Sequence, residues 1–430
     1  MSNLLVRGGN VLSGEITPAG NKNSALPILC ASLLTNEDVI IRNMPDLTDV
    51  NKLIELMKSM GSKIDWNKEK CVLKINNSNF KNEFDEEGFP MGMRGAVLLL
   101  GPLATRMKKI EVRKEIGGCS LGIRELDPHI EVLQGLGAKV YDETTLKIDI
   151  SNGLEGGFLW QDYMSVTTTE NFAMAASKAE GTSTMVNAAS EPHVQDLCNF
   201  LVSMGAKIEG IGSSTLKITG VKELHGTDFT ISSDHHEITT LLALGAMTGG
   251  EVRVNRAEPE HFPLIVKAFK KFGVDIEYEE ETAIVKPVEK LVIEEPYTKN
   301  MLQKIEAAPW PYFPVDLMPL MIALAVKSEG NIMFWNKLYE GGLFWIPEMM
   351  KFGAHIVMCD PFRIIVFGDK PLKPATVDSP NIIRATVALM MVALTIKGES
   401  IIRDADPIKR AHPNFVENLQ KLGADISWVD

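Results

Sequence analysis

A glycine-rich stretch around Cys119 carries the residue types best suited to chemistry in this sequence. From Ile116 to Arg124 it reads Ile-Gly-Gly-Cys-Ser-Leu-Gly-Ile-Arg. Its glycines allow backbone amides to approach a ligand closely. Arg113, Lys114 and Arg124 flank the thiol, and cations near a thiol favour the thiolate. The stretch predicts either a site where an anionic ligand meets a guanidinium and a reactive sulfur, or a surface turn with an incidental cysteine.

Composition and charge exclude several classes of function. The chain has 430 residues, of which 45% are hydrophobic and 23% charged, which is enough for two or three globular domains. Its formal net charge of −12 argues against general nucleic-acid binding but allows a local cationic pocket. The sequence has no run of 18 apolar residues, which a membrane span would need, and its first residues do not resemble a secretory signal. We therefore expect a cytoplasmic protein.

The cysteines argue against a structural metal. None of them forms a Cys-x-x-Cys pair, and their spacing is irregular. This pattern is typical of reduced thiols rather than of a zinc site or a disulfide framework. The five positions are Cys30, Cys71, Cys119, Cys198 and Cys359.

An internal repeat is the main architectural feature of the sequence. Six helical segments each end in an apolar residue, which is followed by a glycine and then by a strand. We expect these glycines to take the positive φ typical of the residue after a helix. They are Gly61, Gly137, Gly205, Gly273, Gly353 and Gly423. A strand-like segment with period-two alternation precedes each helix, and these segments are 37–43, 109–113, 181–187, 250–255, 330–335 and 398–403.

The repeat predicts an α/β fold in two domains. Helices that are apolar on most faces, such as 172–179 and 385–395, must be buried among other elements. Six copies of about seventy residues each are too large for an ordinary solenoid, so we expect three plus three with a cleft between the two domains. The boundary is expected between Gly226 and Asp234. The strands 4–6 and 14–17 precede the first complete copy and can pair with the C-terminal domain.

The chain resembles the enolpyruvyl transferases along its whole length. The Gly-Asn-Lys-Asn stretch that starts at Gly20 and the Gly-Gly-Cys loop are together the most specific part of this resemblance. They are similar to the branch of the family that uses UDP-N-acetylglucosamine as acceptor. The matching segments are 18–27, 93–95, 100–103, 117–124, 188–192, 313–316, 383–385 and 409–410.

The resemblance implies a more specific fold. Each domain would be an inside-out α/β barrel of three repeated units. The first domain would span 22–232 and carry the Cys119 loop. The second would combine 1–21 with 233–430, and the active site would lie in the cleft between them.

The resemblance also implies a reaction. The enolpyruvyl group of phosphoenolpyruvate would move to the 3-hydroxyl of UDP-N-acetylglucosamine with release of phosphate, the first committed step of peptidoglycan synthesis. Addition and elimination of this kind need one acid, one base, and cations for a phosphate and a carboxylate, and no cofactor or metal. The expected partners are therefore these two small molecules, without nucleic acid or membrane, and the oligomeric state is left open.

The same resemblance assigns the catalytic roles. Cys119 would be a general acid that can also form a covalent adduct with the substrate, and Asp316 would be the base for the acceptor hydroxyl. Lys22, Arg124 and Arg410 would surround the phosphate. Lys22 precedes a helical segment, a position suited to anion binding. By itself, an aspartate after a proline is more often a helix cap, so the role of Asp316 rests on the resemblance.

The remaining binding positions also follow from the resemblance. Arg384 would pair with the substrate carboxylate, and Arg94 would be a further active-site arginine. The other substrate-binding positions are Asn23, Ser165, Val166, Glu191 and Leu338.

The carboxylate side departs from the family pattern. The family usually has a second carboxylate-binding arginine where this chain has Gly342, and no arginine occurs from 339 to 352. A charge-assisted hydrogen bond is worth roughly 1.5–3 kcal/mol, so this loss would weaken the step without abolishing it. Lys337 is one candidate replacement. Ile382 stands where the family has an acidic residue.

The nucleotide side departs as well. Tyr163 stands where a basic residue is common, and Thr167 stands where glycine is expected. His235 and His236 replace part of another basic segment. Three hypotheses therefore stay open: a transferase for UDP-N-acetylglucosamine with a divergent pocket, a transferase for another nucleotide or sugar acceptor, and a weakly catalytic paralogue that binds a UDP-sugar and regulates.

Overall fold

The computed structural model describes residues 2–81, 94–112, 125–142, 144–412 and 414–429. These residues form two compact units. The first unit runs from Gly20 to Ser232, and the second combines the residues up to Ala19 with those from Ser233 onward. In the part of the chain that the structure describes, each unit contains six α-helices and three β-sheets.

The helices have the following bounds, with α1 to α6 in the first unit and α7 to α12 in the second. They are α1 Lys22–Ala31, α2 Thr48–Ser59, α3 Leu100–Arg106, α4 Asp127–Gly135, α5 Val166–Ala176, α6 Pro192–Ser203, α7 His235–Thr248, α8 Pro263–Lys270, α9 Met318–Lys327, α10 Ile346–Lys351, α11 Ile383–Thr395 and α12 Phe415–Lys421. Short 3-10 helices include Arg94–Leu99, Val315–Leu317 and Asp406–Arg410.

The strands have the following bounds, with β3 to β13 in the first unit and the others in the second. They are β1 Asn3–Gly8, β2 Gly14–Ile16, β3 Val39–Arg42, β4 Lys63–Asn67, β5 Val72–Asn76, β6 Lys109–Val112, β7 Lys139–Asp142, β8 Leu146–Asp149, β9 Phe158–Trp160, β10 Thr182–Val186, β11 Lys207–Glu209, β12 Thr215–Thr219, β13 Asp228–Thr230, β14 Val252–Val254, β15 Ile276–Glu279, β16 Thr282–Val285, β17 Gln303–Ala307, β18 Asn331–Asn336, β19 His355–Asp360, β20 Arg363–Phe367, β21 Thr376–Asp378, β22 Gly398–Arg403 and β23 Asp425–Val429.

The sheets follow the predicted sixfold repeat. The first unit has the strand orders β13-β3-β5-β4, β6-β8-β7 and β11-β12-β10-β9. The second unit has β15-β16-β14-β2, β17-β18-β20-β19 and β21-β22-β1-β23. Several strands alternate between buried and exposed residues, as in β12, which is typical of a sheet with one face on the core and one in water. The mixed α/β fold is confirmed, and among the described residues the strands form separate sheets rather than one closed barrel.

The six repeat glycines confirm the sequence prediction. Their φ angles are 99° at Gly61, 93° at Gly137, 106° at Gly205, 69° at Gly273, 91° at Gly353 and 100° at Gly423. Only a residue without Cβ adopts this conformation cheaply. A Cβ at Gly61 would also lie 2.4 Å from the carbonyl oxygen of Asn79. Each glycine therefore ends one helix and starts the strand that follows.

The apolar helices lie in the interior of each unit, as predicted. In the second unit, α7, α9 and α11 pack against one another. In the first unit, α3 packs against α5, and α6 packs against both α1 and α5. Nearly every residue of α7 and α11 is buried, because helices without a polar face are stable only when other elements surround them. No helix of the described residues is long and apolar enough to cross a membrane.

The N-terminal strands pair with the C-terminal part of the chain, as the sequence suggests. β1 lies between β22 and β23 and is antiparallel to both, with Leu4 opposite Ile402 and Trp428. β2 is parallel to β14. These pairings supply the second unit with strands that its own sequence copies lack.

Candidate active site

Part of the predicted site lies outside the described residues. Cys119 and Arg124 both fall in the segment 113–124. Arg94 begins the 3-10 helix Arg94–Leu99. The roles assigned to these three residues stay predictions from the sequence.

Lys22 is the first residue of α1. The side chain of Asn21 caps this helix by accepting a hydrogen bond from the backbone N–H of Asn23 at 2.9 Å. The Nζ atom of Lys22 lies 3.0 Å from Oδ2 of Asp49, and each side chain is 13% exposed. The ammonium group is therefore held at the start of a helix, where the positive end of the helix dipole also favours anions.

Three more predicted residues mark the starts of helices in the first unit. Ser165 precedes α5, whose first residue is Val166, and its Oγ atom lies 2.8 Å from Oγ1 of Thr168. Glu191 precedes α6 and is buried. These positions resemble that of Lys22 because each lies at the N-terminal end of a helix.

Two hydrogen-bonded links bring these helix starts together. Thr169, in the first turn of α5, accepts a hydrogen bond on Oγ1 from the backbone N–H of Ala189 at 2.9 Å. Asn21 donates its backbone N–H to the carbonyl oxygen of Ser232 at 2.8 Å. Ser232 in turn donates its backbone N–H to Oδ2 of Asp196 in α6 at 3.1 Å. The starts of α1 and α5 are thus each linked to α6 or to the residues just before it, and both helices pack against α6.

The carboxyl group of Glu170, in the first half of α5, is buried. Burial, and then the charge of Glu191, raises the pKa of Glu170 in α5 well above its ordinary value. Glu170 Oε1 accepts no hydrogen bond from the described residues. Burial therefore disfavours the charged form of Glu170.

In the second unit, Arg384 lies in a buried polar cluster. It is the second residue of α11, and its Nη2 atom lies 3.6 Å from Oδ2 of Asp234. Its Nη1 atom donates a hydrogen bond to Nε2 of His412. Because a guanidinium has no acceptor, Nε2 of His412 must carry the lone pair. The Nδ1 atom of His412 then faces Asp234 and Glu237, with Oδ2 and Oε2 at 3.9 and 4.0 Å.

Asp316 lies beside the same cluster. It is the central residue of the 3-10 helix Val315–Leu317, and its side chain is 44% exposed. Its Oδ2 atom is 4.0 Å from Nε2 of His236, whose Nδ1 atom is 2.8 Å from Oδ1 of Asp234. Arg384 and Asp316 are therefore connected through Asp234 and His236, and the structure brings these two predicted residues into one neighbourhood.

The cluster shifts the pKa values of two nearby carboxyl groups in opposite directions. Burial acts to raise the pKa of Asp234, but the charges of His236 and Arg384 outweigh it and hold that pKa well below its ordinary value. Burial raises the pKa of Glu237 to about 7, against a backbone hydrogen bond from Ala19. Asp234 is thus ionised at neutral pH, while Glu237 titrates there.

The donor set of this cluster argues against a metal ion. One ligand atom from each of Asp234, His235 and His236 lies within 4.8 Å of the others. However, Oδ1 of Asp234 already accepts hydrogen bonds from Nδ1 and the backbone N–H of His236. The positive end of α7 and the guanidinium of Arg384 also repel a cation at this place.

The residues that depart from the family pattern on the predicted carboxylate-binding side have contacts that account for part of the departure. A Cβ at Gly342 would lie 2.0 Å from Nδ2 of Asn336, so an arginine cannot occupy this position unless Asn336 moves. Lys337, the candidate replacement for the missing arginine, already has partners. Its ammonium pairs with Glu306 and lies 4.3 Å from the ring centroid of Trp335. Ile382 precedes α11 and accepts a hydrogen bond from Thr386.

The other predicted positions are placed as follows. Leu338 follows β18 and donates its backbone N–H to Oδ1 of Asn336 at 3.0 Å. Arg410 ends the 3-10 helix Asp406–Arg410. On the nucleotide side, Thr167 lies 3.4 Å from Nε2 of His129 through its hydroxyl, and Tyr163 is 49% exposed.

The sequence prediction did not identify four polar residues that contact the predicted site residues Lys22, Asp316 and Arg384. They are Asp49, Asp234, His236 as a neighbour of Asp316, and His412. The Asp-His-His-Glu run at the start of α7 was a usable signal, because four adjacent titratable residues are unusual in a helix that is otherwise apolar. Asp49 and His412 have no such local signal, since their partners are distant in the chain.

Comparisons with known proteins identify relatives of the full chain. Residues 6–419 match the family described as EPSP synthase (3-phosphoshikimate 1-carboxyvinyltransferase). A UDP-N-acetylglucosamine 1-carboxyvinyltransferase from Borrelia garinii subsp. bavariensis is 40% identical over 429 residues, which cover 100% of this chain and 99% of that protein. A protein of the same name from Bacteroides thetaiotaomicron is 37% identical over 443 residues, with 100% of both chains covered.

Solved structures show the same fold. The enolpyruvyl transferase NikO from Streptomyces tendae has a TM-score of 0.85 at 20% identity and covers 100% of this chain and 99% of its own. EPSP synthase from Acinetobacter baumannii has a TM-score of 0.78 at 16% identity, with 100% of both chains covered. With the full-length sequence matches, these similarities show that the chain belongs to the enolpyruvyl transferase family, which is the family of EPSP synthase.

Proposed function

We propose that this protein transfers the enolpyruvyl group of phosphoenolpyruvate to the 3-hydroxyl of UDP-N-acetylglucosamine and releases phosphate. Such an enzyme is a UDP-N-acetylglucosamine 1-carboxyvinyltransferase. The observation that carries the proposal is the 40% identity, over the whole chain, to a Borrelia protein of that name. The reaction is the first committed step of peptidoglycan synthesis, and we place it in the cytoplasm.

The first unit supports the binding of phosphate groups. The substrates of the proposed reaction carry a phosphate monoester and a diphosphate. The N-terminal ends of α1, α5 and α6 are positive dipole ends, which favour phosphate. Lys22 adds a full positive charge at one of these ends. Arg124 and Arg410 are further proposed phosphate ligands from the resemblance.

The second unit supports the handling of the acceptor proton. Asp316 is partly exposed and lies beside a buried histidine, so its carboxylate can reach a substrate hydroxyl and exchange a proton. A base of this kind contributes about 10²- to 10⁴-fold to a rate. Arg384 supplies a positive charge for a substrate carboxylate in a position that Asp234 and His412 hold in place.

The proposed chemistry is an addition followed by an elimination. The proton of the acceptor hydroxyl passes to Asp316 while its oxygen adds to C2 of the enolpyruvyl group, and Cys119 protonates C3. Elimination then returns a proton from C3 to the Cys119 thiolate and breaks the bond from C2 to the phosphate oxygen. Lys22, with the helix starts, stabilises the charge on the departing phosphate. No step needs a cofactor.

The identity of the acceptor is the part of the proposal for which the structure favours a specific alternative. Gly342 carries no side chain and Lys337 pairs with Glu306, so neither of these two described residues supplies the second cation that the family has. The contact of Thr167 with His129 gives the nucleotide side a polar pair where glycine is expected. These observations favour, as a second candidate, an enolpyruvyl transferase that uses another nucleotide or sugar acceptor.

The decisive experiment measures phosphate release from phosphoenolpyruvate with UDP-N-acetylglucosamine, and with UDP-glucose or UDP as alternative acceptors. The proposal predicts release that is fastest with UDP-N-acetylglucosamine and lost in Cys119→Ala. Faster release with another acceptor would establish the second candidate. Absence of release with every acceptor, together with binding of a UDP-sugar, would indicate the regulatory paralogue.

A further inference from the structure

Three side chains of the second unit lie in a row that ends at the proposed base. Asp234 is 1% exposed and His236 is 3% exposed, whereas Asp316 is 44% exposed. Nδ1 of His236 is 2.8 Å from Oδ1 of Asp234, and its Nε2 is 4.0 Å from Oδ2 of Asp316. The row therefore leads from a buried carboxylate through an imidazole to a carboxylate that solvent and substrate can reach.

The hydrogen bond to Asp234 determines which nitrogen of His236 is protonated. An ionised carboxylate can only accept hydrogen bonds, so Nδ1 of the neutral ring carries the proton. The Nε2 lone pair then points toward Asp316. A carboxylate that orients an imidazole in this way also stabilises the imidazolium that forms when Nε2 takes up a proton.

We infer that His236 is a positioning residue for Asp316 and takes over the proton that Asp316 removes from the acceptor hydroxyl. Asp316 accepts the proton while the new C–O bond forms, and the proton then passes to Nε2 of His236. Asp234 stays ionised and pairs with the imidazolium. Asp316 is returned to its carboxylate form, and the proton can leave later through Asp316 to solvent. This inference rests on the proposed function for the role of Asp316.

The surrounding charges are compatible with this transfer. His235 stacks near His236 with ring centroids 4.0 Å apart, and its ring gives the imidazolium no negative partner. Arg384 pairs with the other oxygen of Asp234, and His412 faces that oxygen at 3.9 Å. The charges of His236 and Arg384 outweigh burial and hold the pKa of Asp234 well below its ordinary value, so Asp234 does not compete for the transferred proton.

The 4.0 Å separation between Nε2 of His236 and Oδ2 of Asp316 is too long for a hydrogen bond. Asp316 is exposed and sits in a single turn of 3-10 helix, so rotation of its side chain can shorten the distance. Catalytic hydrogen bonds commonly tighten only when substrate is bound. Both α7, which carries His236, and α9, which follows Asp316, are buried and pack against each other, so the backbone positions are held.

A kinetic test compares His236→Gln, Asp316→Asn and the double variant by phosphate release. Asp316→Asn should lower kcat by about 100-fold or more. His236→Gln should lower kcat by about tenfold, leave KM for the acceptor unchanged, and have no further effect in the Asp316→Asn background. Thr240→Ala is the matched control, because it removes a buried hydrogen bond to the His236 carbonyl at 2.8 Å without changing the imidazole. A tenfold loss from His236→Gln in both backgrounds, or the same loss from Thr240→Ala, would overturn the inference.

A second test needs neither turnover nor a buried variant. In protein labelled with ¹⁵N-histidine, at a pH where the rings are neutral, His236 should be protonated on Nδ1. Asp316→Asn should shift the Nε2 resonance of this ring, and the change at an exposed position should not affect folding. Protonation on Nε2 would overturn the inference even if the wild type is active. Lack of phosphate release by the wild type would instead contradict the proposed function, and the tautomer would still show whether Asp234 orients His236 toward Asp316.

Discussion

Lys22 and Asp49 form an ion pair at 3.0 Å in which both side chains are 13% exposed. The pair connects the first residue of α1 with the first turn of α2. Because little water reaches it, the carboxylate fixes the direction of the ammonium more firmly than a surface pair would. This relationship leads to the first prediction.

Lys22→Gln should lower kcat/KM for phosphoenolpyruvate by about 10- to 100-fold, because one charge-assisted contact to a phosphate is lost. It should also lower the unfolding temperature, since Asp49 loses a partner in a poorly hydrated place. Steady-state phosphate release and thermal unfolding measure the two effects. The control is Lys74→Gln, which breaks an exposed pair with Asp38 at 2.7 Å and should change neither. Equal kinetics for both variants would contradict the phosphate role of Lys22.

Arg384→Met should destabilise the protein by about 3 kcal/mol, because Asp234 would keep a buried charge with one compensating cation fewer. Arg403→Met is the matched control. Arg403 makes two hydrogen bonds to Asp378 at 2.6 and 2.9 Å, but both residues are about half exposed, so its loss should cost about 0–1 kcal/mol.

Denaturant unfolding of both variants, of Asp234→Asn and of Asp234→Asn/Arg384→Met measures the coupling. Asparagine keeps the capping group of α7 but removes the charge that Arg384 balances. The double variant should therefore recover part of the stability lost in Arg384→Met. Additive losses would show that Asp234 and Arg384 do not interact.

Glu237→Gln should change how stability depends on pH. Burial raises the pKa of Glu237 from its ordinary 4.5 to about 7 in the folded state. A carboxyl group with a raised pKa contributes stability that is complete below pH 4.5 and is lost as the pH rises through about 7. The variant lacks this titration, so its unfolding temperature relative to wild type should be higher at pH 8 than at pH 4.5.

The control for this prediction is Glu417→Gln on α12. Glu417 is exposed in the same unit, so its replacement should leave the shape of the pH profile unchanged. Thermal unfolding at several pH values between 4 and 9 is the measurement. A constant difference between Glu237→Gln and wild type over this range would show that Glu237 does not titrate as expected.

Alkylation should inactivate the enzyme through Cys119 alone. Burial raises the pKa of Cys30 well above its ordinary value and that of Cys198 to about 12, so these thiols stay protonated and unreactive. Cys71 is partly exposed and Cys359 exposed, and we expect both to react without loss of activity.

Cys119→Asp should keep part of the activity and resist a thiol alkylator, because a carboxyl group can still supply a proton. Cys359→Ala should remain as sensitive as the wild type. Residual activity after alkylation, combined with mass spectrometry of the modified peptides, distinguishes the thiols. Inactivation of Cys119→Asp at the wild-type rate would mean that the target is another cysteine.

Gly342→Ala should destabilise the protein by about 1–3 kcal/mol, as overpacking does, because the new Cβ would meet Nδ2 of Asn336. Asn336→Ala/Gly342→Ala should remove the clash but lose the hydrogen bonds that Asn336 accepts from the backbone of Leu338 and Tyr339. Denaturant unfolding of the two single variants and the double variant tests this. A full recovery in the double variant would show that those hydrogen bonds contribute little.

The sequence by itself determined the repeat and the fold class. Helix and strand periods and glycines at helix ends are local properties, and each needs only neighbouring residues to be recognised. The positive φ of Gly61, and of its five counterparts, follows from chain position alone. The family resemblance added the prediction that Lys22, Asp316 and Arg384 are site residues.

Only the tertiary structure decided which side chains surround these residues. Asp234, His236, Asp316, Arg384 and His412 come from segments that are far apart in the chain and meet because α7, α9 and α11 share one core. Whether Gly342 can carry a side chain depends likewise on the position of Asn336 in the folded unit. Periodicity says which face of an element is buried, but it carries no information about which distant element covers that face, because packing between elements is determined by the shape and charge of the whole interior.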